Sequence, residues 1–536
     1  VSPGSAKKHT LYNIYIDMNT MKRFYFFLSF IGMCLSLPAT NYFVATNGSD
    51  TNSGTIEKPF ATLRKAQSKV VAGDTVYIRR GTYKITESEV MEHHTAGSTT
   101  WSRVFKMDKS GTGKDKRICY SGYKNERPVF DLSEVKPVNE RVIVFYVSGS
   151  YLHFRNMEVV GTQVTITEHT QSECFRNEGG SNNIYEHLSM HDGMAIGFYI
   201  VTGKDNLVLN CDAYNNYDPV SDSGSGGNVD GFGGHLTSES YTGNVFRGCR
   251  AWYNSDDGFD LINCKAAFTI DNCWSFLNGY TKEGDKAGDG TGFKSGGYGM
   301  SDNPKVPKEI PMHTVQYCLA YKNKNKGFYA NHHLGGIAWY NNTGYQNPSN
   351  FCMLNRKSAS EKVDVPGYGH IIKNNISYMP RSADKHLIDV DETLCEIVNN
   401  SFAPESYELT SADFISLEDT ELMNPRQADG TLPDIGFLKI AASSVLYGKG
   451  MGYEAGGQVP VPDEDRFGWL EAAAIAVEDN MASVVGPDAE LFTSFFVNNN
   501  RVSFTERKVD LSSYQGLVML EARAANGTIV RLKVNK

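Results

Sequence analysis

Four segments built around a cysteine repeat one pattern along this chain: "NLVLNCDAYNN" around Cys211, "GNVFRGCRAWYN" around Cys249, "TIDNCWSFLN" around Cys273 and "HTVQYCLAYKN" around Cys318. In each, a small residue stands two places after the cysteine, an aromatic residue follows it, and an asparagine comes next or soon after. "NNIYEHLSMHDG" at 182–193 fits the same frame, "YLHFRNMEVVG" at 151–161 fits it more loosely, and "WYNNTGYQN" and "NNISYM" extend it to about residue 379. The shortest intervals, 249 to 273 and 318 to 343, are 24 and 25 residues. A unit of that length with one constant inward position is the signature of a solenoid, in which each coil stacks on the last. Several short strands per coil imply an all-β, right-handed parallel β-helix. The cysteines are then expected as a buried ladder of small apolar side chains, not as disulfides or metal ligands.

The rest of the sequence fits around that frame. The 51 glycines, with many Asn, Tyr and Thr residues, suit turn-rich β-structure. The longer intervals hold polar, glycine-rich insertions at 218–235 and 279–311. "PFATLRKAQSKV", 59–70, has helical spacing and is expected to cap the N-terminal end, with 72–83 as the first coil. Residues 40–455 form the expected β-helix domain, closing with a last coil and loop at 425–450. A polar, partly helical linker is expected at 456–486, then a small β module at 487–536 whose strands 517–525 and 528–534 join at Asn526-Gly527.

Residues 1–39 read as an upstream extension and a signal peptide. Met21-Lys22-Arg23 is followed by the apolar run Phe24 to Leu37 and by Pro38-Ala39, the layout of a cleavable export signal, with cleavage expected near Ala39. A secreted or periplasmic monomer without a membrane span is expected. The chain carries −9, and residues 1–39 hold four basic and one acidic side chain, so the remainder carries −12. That balance argues against nucleic acid as a partner.

One acidic stretch demands a partner. "SDDGFDL" places Asp256, Asp257 and Asp260 at the turn leaving the Cys249 strand, and "GNVDGFGGH" puts Asp230 one interval upstream. Four carboxylates from adjoining coils can converge, and crowded like charges need neutralising. Hard oxygen ligands without interleaved Cys or His suit Ca²⁺. The bland alternative is a solvated acidic turn. One coil on, "GDGTGFKSGGYG" sets Lys294 beside the cluster, before glycines that allow a polymer to approach closely.

This combination resembles the family 9 polysaccharide lyases, β-helix proteins of the pectate lyase type. The match rests on Asp230 of "VDGFGGH", Asp256, Asp257 and Asp260 of "SDDGFD" and Lys294 of "GTGFKSGG". The resemblance implies that these aspartates bind a catalytic Ca²⁺ and that Lys294 is the base that removes the C5 proton of a galacturonate unit. It implies β-elimination on an acidic plant cell-wall polysaccharide, the pectin backbone, with rhamnogalacturonan I favoured over homogalacturonan. Substrate contacts are expected from the two insertions and around Lys322, Lys324, Lys326, Asn331 and His332, with Lys326, Asn331 and His332 as the named candidates; a solvated turn is the competing reading of the three lysines. A non-catalytic, calcium-stiffened carbohydrate-binding solenoid and a polygalacturonase-type hydrolase remain as alternatives. The hydrolase lacks its usual Gly-His-Gly and Arg-Ile-Lys motifs here; Gly234-His235-Leu236 is not one.

Overall fold

The computed structural model describes residues 39–535, apart from 300–305, 428, 455–473, 479, 486–491, 499, 504–507 and 525–528. The expected export signal and the expected Asn526-Gly527 turn lie outside the described residues. Among those described, no helix is long and apolar enough to cross a membrane.

Each regular coil contributes three short strands. Phe268–Asp271, Trp274–Phe276 and Phe293–Lys294 form one coil, and His313–Gln316, Leu319–Tyr321 and Phe328–Tyr329 the next. Every strand pairs in parallel with its counterpart one coil away, so Phe268–Asp271 pairs with His313–Gln316 and Phe293–Lys294 with Phe328–Tyr329. The stack begins at Asn41–Val44, next to the expected domain start at residue 40, and this strand pairs with Thr75–Ile78 of the segment 72–83. The helix Leu63–Lys69 follows Thr62, whose hydroxyl accepts from the Lys65 amide at 3.1 Å, and buries Leu63, Ala66 and Gln67. The last stacked strands are Leu387–Ile388 and Glu396–Val398.

Side-chain ladders hold the coils in register. Cys211, Cys249, Cys273 and Cys318 are free and buried at one corner, where the Cys249 amide donates to Cys273 Sγ and the Cys273 amide to Cys318 Sγ. The same corner continues with Asn342, Asn375 and Asn400, each side chain accepting from the amide of the coil before it. Five residues after each cysteine comes a second ladder, Asn216, Asn254, Asn278 and Asn323. The residue before each of these asparagines has positive φ: Asn215 54°, Tyr253 51°, Leu277 58° and Lys322 48°. That left-handed residue makes the corner sharp, and the asparagine satisfies the backbone groups the turn exposes.

The third strands begin with Phe232, Phe259, Phe293, Phe328 and Phe351, stacked inward with ring centroids 4.8–5.0 Å apart. A Cβ on Gly258, just before this ladder, would lie 2.1 Å from Ser275 Oγ and 2.8 Å from the Gly292 carbonyl, so glycine permits the coil spacing there.

Residues 425–450 are not a coil. They hold no described strand and run back along the second strands. Those strands expose outward aromatic residues, Trp252, Phe276, Tyr321, Tyr345 and Tyr378, which pack against Leu432, Phe437, Leu446 and Met451. An apolar face of that size needs cover, and the returning segment supplies it. Arg250 and Arg426 both grip the buried Asp212 carboxylate, tying this strap to the helix. Residues 474–485, expected within a linker, form the hairpin Ala474–Glu478 and Met481–Val485, which pairs with Lys508–Asp510. Phe492–Val497, Asn500–Val502, Leu517–Ala524 and Ile529–Asn535 form an antiparallel four-stranded sheet around Phe495, Val518 and Leu520.

Candidate functional site

In each third strand the residue after the ladder phenylalanine occupies one outward column. Register places Tyr199, Gly233, Asp260, Lys294, Tyr329 and Cys352 in it, one per coil. Three residues earlier in each coil, Asp230, Asp257, Thr291 and Lys326 form a parallel column at the turn. Aspartates placed 27 residues apart by sequence, Asp230 and Asp257, thus become neighbours, with the Asp257 amide donating to Asp230 Oδ1 at 3.1 Å.

One carboxylate oxygen each of Asp230, Asp257 and Asp260 lies within 4.8 Å of the others, and all three residues are buried. Lys294 Nζ sits 3.0 Å from Asp257 Oδ2 and 3.1 Å from Asp260 Oδ2. The Thr291 amide donates to Asp257 Oδ1 at 2.6 Å. Asp260 Oδ1 is buried with no hydrogen-bond partner among the described residues. Asp256 stands apart from the three. Its oxygens accept from the amides of Asn228 and Asp289, both at 2.7 Å, so it ties the two insertions together at the edge of the cage.

The charges do not balance. Burial first, then Asp256, Asp260 and Asp257, hold the Asp230 carboxyl well above its ordinary value. Burial likewise pushes Asp260 up to about 6, against the pull of Lys294, and Asp256 up to about 7, with Asp257 adding to it. For Lys294, burial favours the free amine, but Asp257, Asp260, Asp230 and Asp256 outweigh it and keep the ammonium form. One lysine therefore faces more negative charge than it can neutralise. An all-oxygen donor set with an orphaned buried carboxylate oxygen fits a hard divalent cation, Ca²⁺ above all.

The remaining candidates divide. Lys326 stays beside the cage, its Nζ 4.5 Å from the Tyr329 ring centroid. The Asn331 amide is spent on the Gly296 carbonyl at 3.0 Å, a brace within the fold. His332 is buried with Nε2 3.3 Å from Asp364. Lys322, its side chain 37% exposed, reaches Asp419 of the strap at 3.0 Å, and Lys324 binds the Ala287 and Gly288 carbonyls, so both have partners within the fold. Sequence reasoning missed Tyr199 and Gly233. Their signal was the repeated phenylalanine, which marks the following residue as outward-facing.

Fold, acidic face and comparison with known proteins together define this chain as a β-helical polysaccharide lyase. It belongs to the family described as Pel9A-like, right handed beta helix region, which matches residues 42–390. A second family, described as Rhamnogalacturonan lyase-like, C-terminal, matches residues 391–531, a region that begins before the strap and includes the β module. The chain is 32% identical over 418 residues to Pectate lyase L of Dickeya dadantii (strain 3937), covering 76% of this chain and 85% of that one. Among solved structures, a rhamnogalacturonan lyase superposes with a TM-score of 0.74 at 53% identity, covering 77% of this chain and all of the other. Pectate lyase Pel9A superposes with a TM-score of 0.59 at 29% identity, covering 76% and 91%.

Proposed function

We propose that this lyase is an exported, calcium-dependent enzyme that cleaves the galacturonate-containing backbone of pectin by β-elimination, with Lys294 as the base. The observation that carries the reading is the register of Asp260 with Lys294 over the buried Asp230–Asp257 pair. Asp230, Asp257 and Asp260 would hold the ion, with Asp256 at its edge. When bound, calcium neutralises the uronate carboxylate and stabilises the charge that develops next to it.

The chain's own contribution is the base and its switch. Lys294 accepts a proton only as the free amine, and that form requires Asp257 and Asp260 to be engaged by a charge other than its own. Burial of the Lys294 side chain then favours the amine. The C5 proton passes to Nζ, the C4=C5 bond forms, and the O4-linked sugar departs. Lys326, at the same turn column one coil beyond Thr291, is placed to meet a second uronate.

Rhamnogalacturonan I is the favoured substrate, because the 53% identical structure bears the name rhamnogalacturonan lyase. Digesting rhamnogalacturonan I and homogalacturonan separately and comparing products decides between them. The reading as a whole is tested with Lys294→Ala. Elimination, followed by absorbance of the unsaturated product, should fall by at least 10²–10⁴-fold, the usual cost of a general base. Calcium binding, measured by calorimetry, should persist, and chelation should silence the wild type until Ca²⁺ is restored. Normal turnover by the variant, or full activity after exhaustive chelation, would sink it.

A further inference from the structure

Elimination needs a proton acceptor at C5, and the departing O4 oxygen needs a proton. The cage residues and Lys294 supply only the first. We propose that the Tyr199 phenol donates the second, as the acid of the reaction; this rests on the lyase reading above.

Tyr199 stands in the same outward column as Asp260 and Lys294, with only Gly233 between it and Asp260. Gly233 leaves a notch there. A Cβ at that position would lie 2.4 and 2.5 Å from Tyr199 Cδ2 and Cε2, so the ring lies across the glycine. The Arg176 guanidinium lies over the ring, 5.8 Å from its centroid, itself held by Glu173 at 2.6 Å and Glu178 at 2.7 Å. Burial first and Asp260 next hold the phenol above its ordinary range, so it keeps its proton until the departing oxygen takes it. The residue is only 7% exposed, but its hydroxyl is not among the buried polar atoms left without a partner, so the O–H, which makes no hydrogen bond to a described residue, opens outward where a bound sugar can meet it.

Base and acid thus flank Asp260 along the column, Lys294 on one side and Tyr199 on the other. A uronate seated at the cage presents C5 to one and the adjacent C4 oxygen to the other. The C5–H electron pair becomes the C4=C5 bond, the C4–O4 pair leaves with oxygen, and that oxygen takes the phenol proton. Water then reprotonates the phenolate, and Nζ releases its proton to solvent.

The test is Tyr199→Phe, which keeps the ring over Gly233 and removes only the O–H. On the pectic polymer that the wild type cleaves, kcat should fall about 10²-fold or more. KM should stay within about twofold, and affinity for CaCl₂ alone, by calorimetry, should be unchanged. Gly233→Ala, which displaces the ring, should lower kcat in the same way and serves if the Phe variant does not fold. Wild-type kcat in either folded variant overturns the proposal, and so does a parallel loss of calcium affinity. If Lys294→Ala is inactive while Tyr199→Phe is normal, only this inference fails; if Lys294→Ala is active, the lyase reading itself fails.

Discussion

Asp260 shows at a single position how function strains a fold. Its carboxylate is buried, one oxygen has no partner among the described residues, and burial raises its pKa to about 6. Charge held this way opposes folding until a cation arrives. Asp260→Asn should therefore melt no lower than the wild type at pH 7 without calcium, while binding calcium at least tenfold more weakly and losing most activity. Calorimetry and thermal scans with and without Ca²⁺ check both halves. A variant that is less stable without calcium yet binds it as tightly would show that this carboxylate is structural.

At the scale of the element, the corner ladders decide stability. The Asn278 side chain accepts from the Asn254 amide at 3.2 Å and donates to the Ala251 carbonyl at 3.0 Å and to Asn323 Oδ1 at 3.1 Å. All of these groups are buried, and each one orphaned costs about 1–3 kcal/mol. Asn278→Ala should lower stability by about 2–4 kcal/mol in urea unfolding, while exposed Asn399→Ala should cost far less. Equal effects would mean that the ladder is incidental. The thiol ladder works differently, through packing of small apolar groups with weak S–H bonds, which is why cysteine and asparagine alternate as solutions at one corner.

At the scale of the whole molecule, buried histidines set the response to acid. His313 and His370 sit at another corner of the coil and accept backbone amides through Nδ1, from Phe268 at 3.2 Å and Ile337 at 3.0 Å, so both must be neutral. Burial lowers His333 and His370 to about 4, His187 to about 3, and holds His313 well below its ordinary value. Unfolded histidines titrate near ~6.5. Below that pH the unfolded chain binds more protons than the folded one, so stability falls as pH drops from about 6.5 towards 4. Asp256 and Asp260, raised to about 7 and 6, act in the opposite sense over the same window, so the histidine share is read by difference: His370→Asn, which keeps an acceptor at the corner, should lose less melting temperature between about pH 6.5 and 4 than the wild type. Equal losses in the two proteins would show that this ring is hydrated.

The repeat of Cys211, Cys249, Cys273 and Cys318 determined the solenoid from sequence alone, because a coil length near 24 residues and one small inward residue per coil admit few other folds. The order of Asp230, Asp256, Asp257, Asp260 and Lys294 made the acidic face legible, since pairing between coils turns sequence intervals into neighbours. What sequence could not decide is which of four nearby aspartates share one cage. Asp256 and Asp257 are adjacent, and the turn sends one to the amides of Asn228 and Asp289 and the other inward. Nor could it place the segment at 425–450, whose apolar residues suit a coil or a strap equally. Only the exposed aromatic row of the second strands, formed once the coils stack, gives that segment a face to cover. Tyr199 belongs to the same class: only the stacking of coils lays its ring across a glycine one coil away.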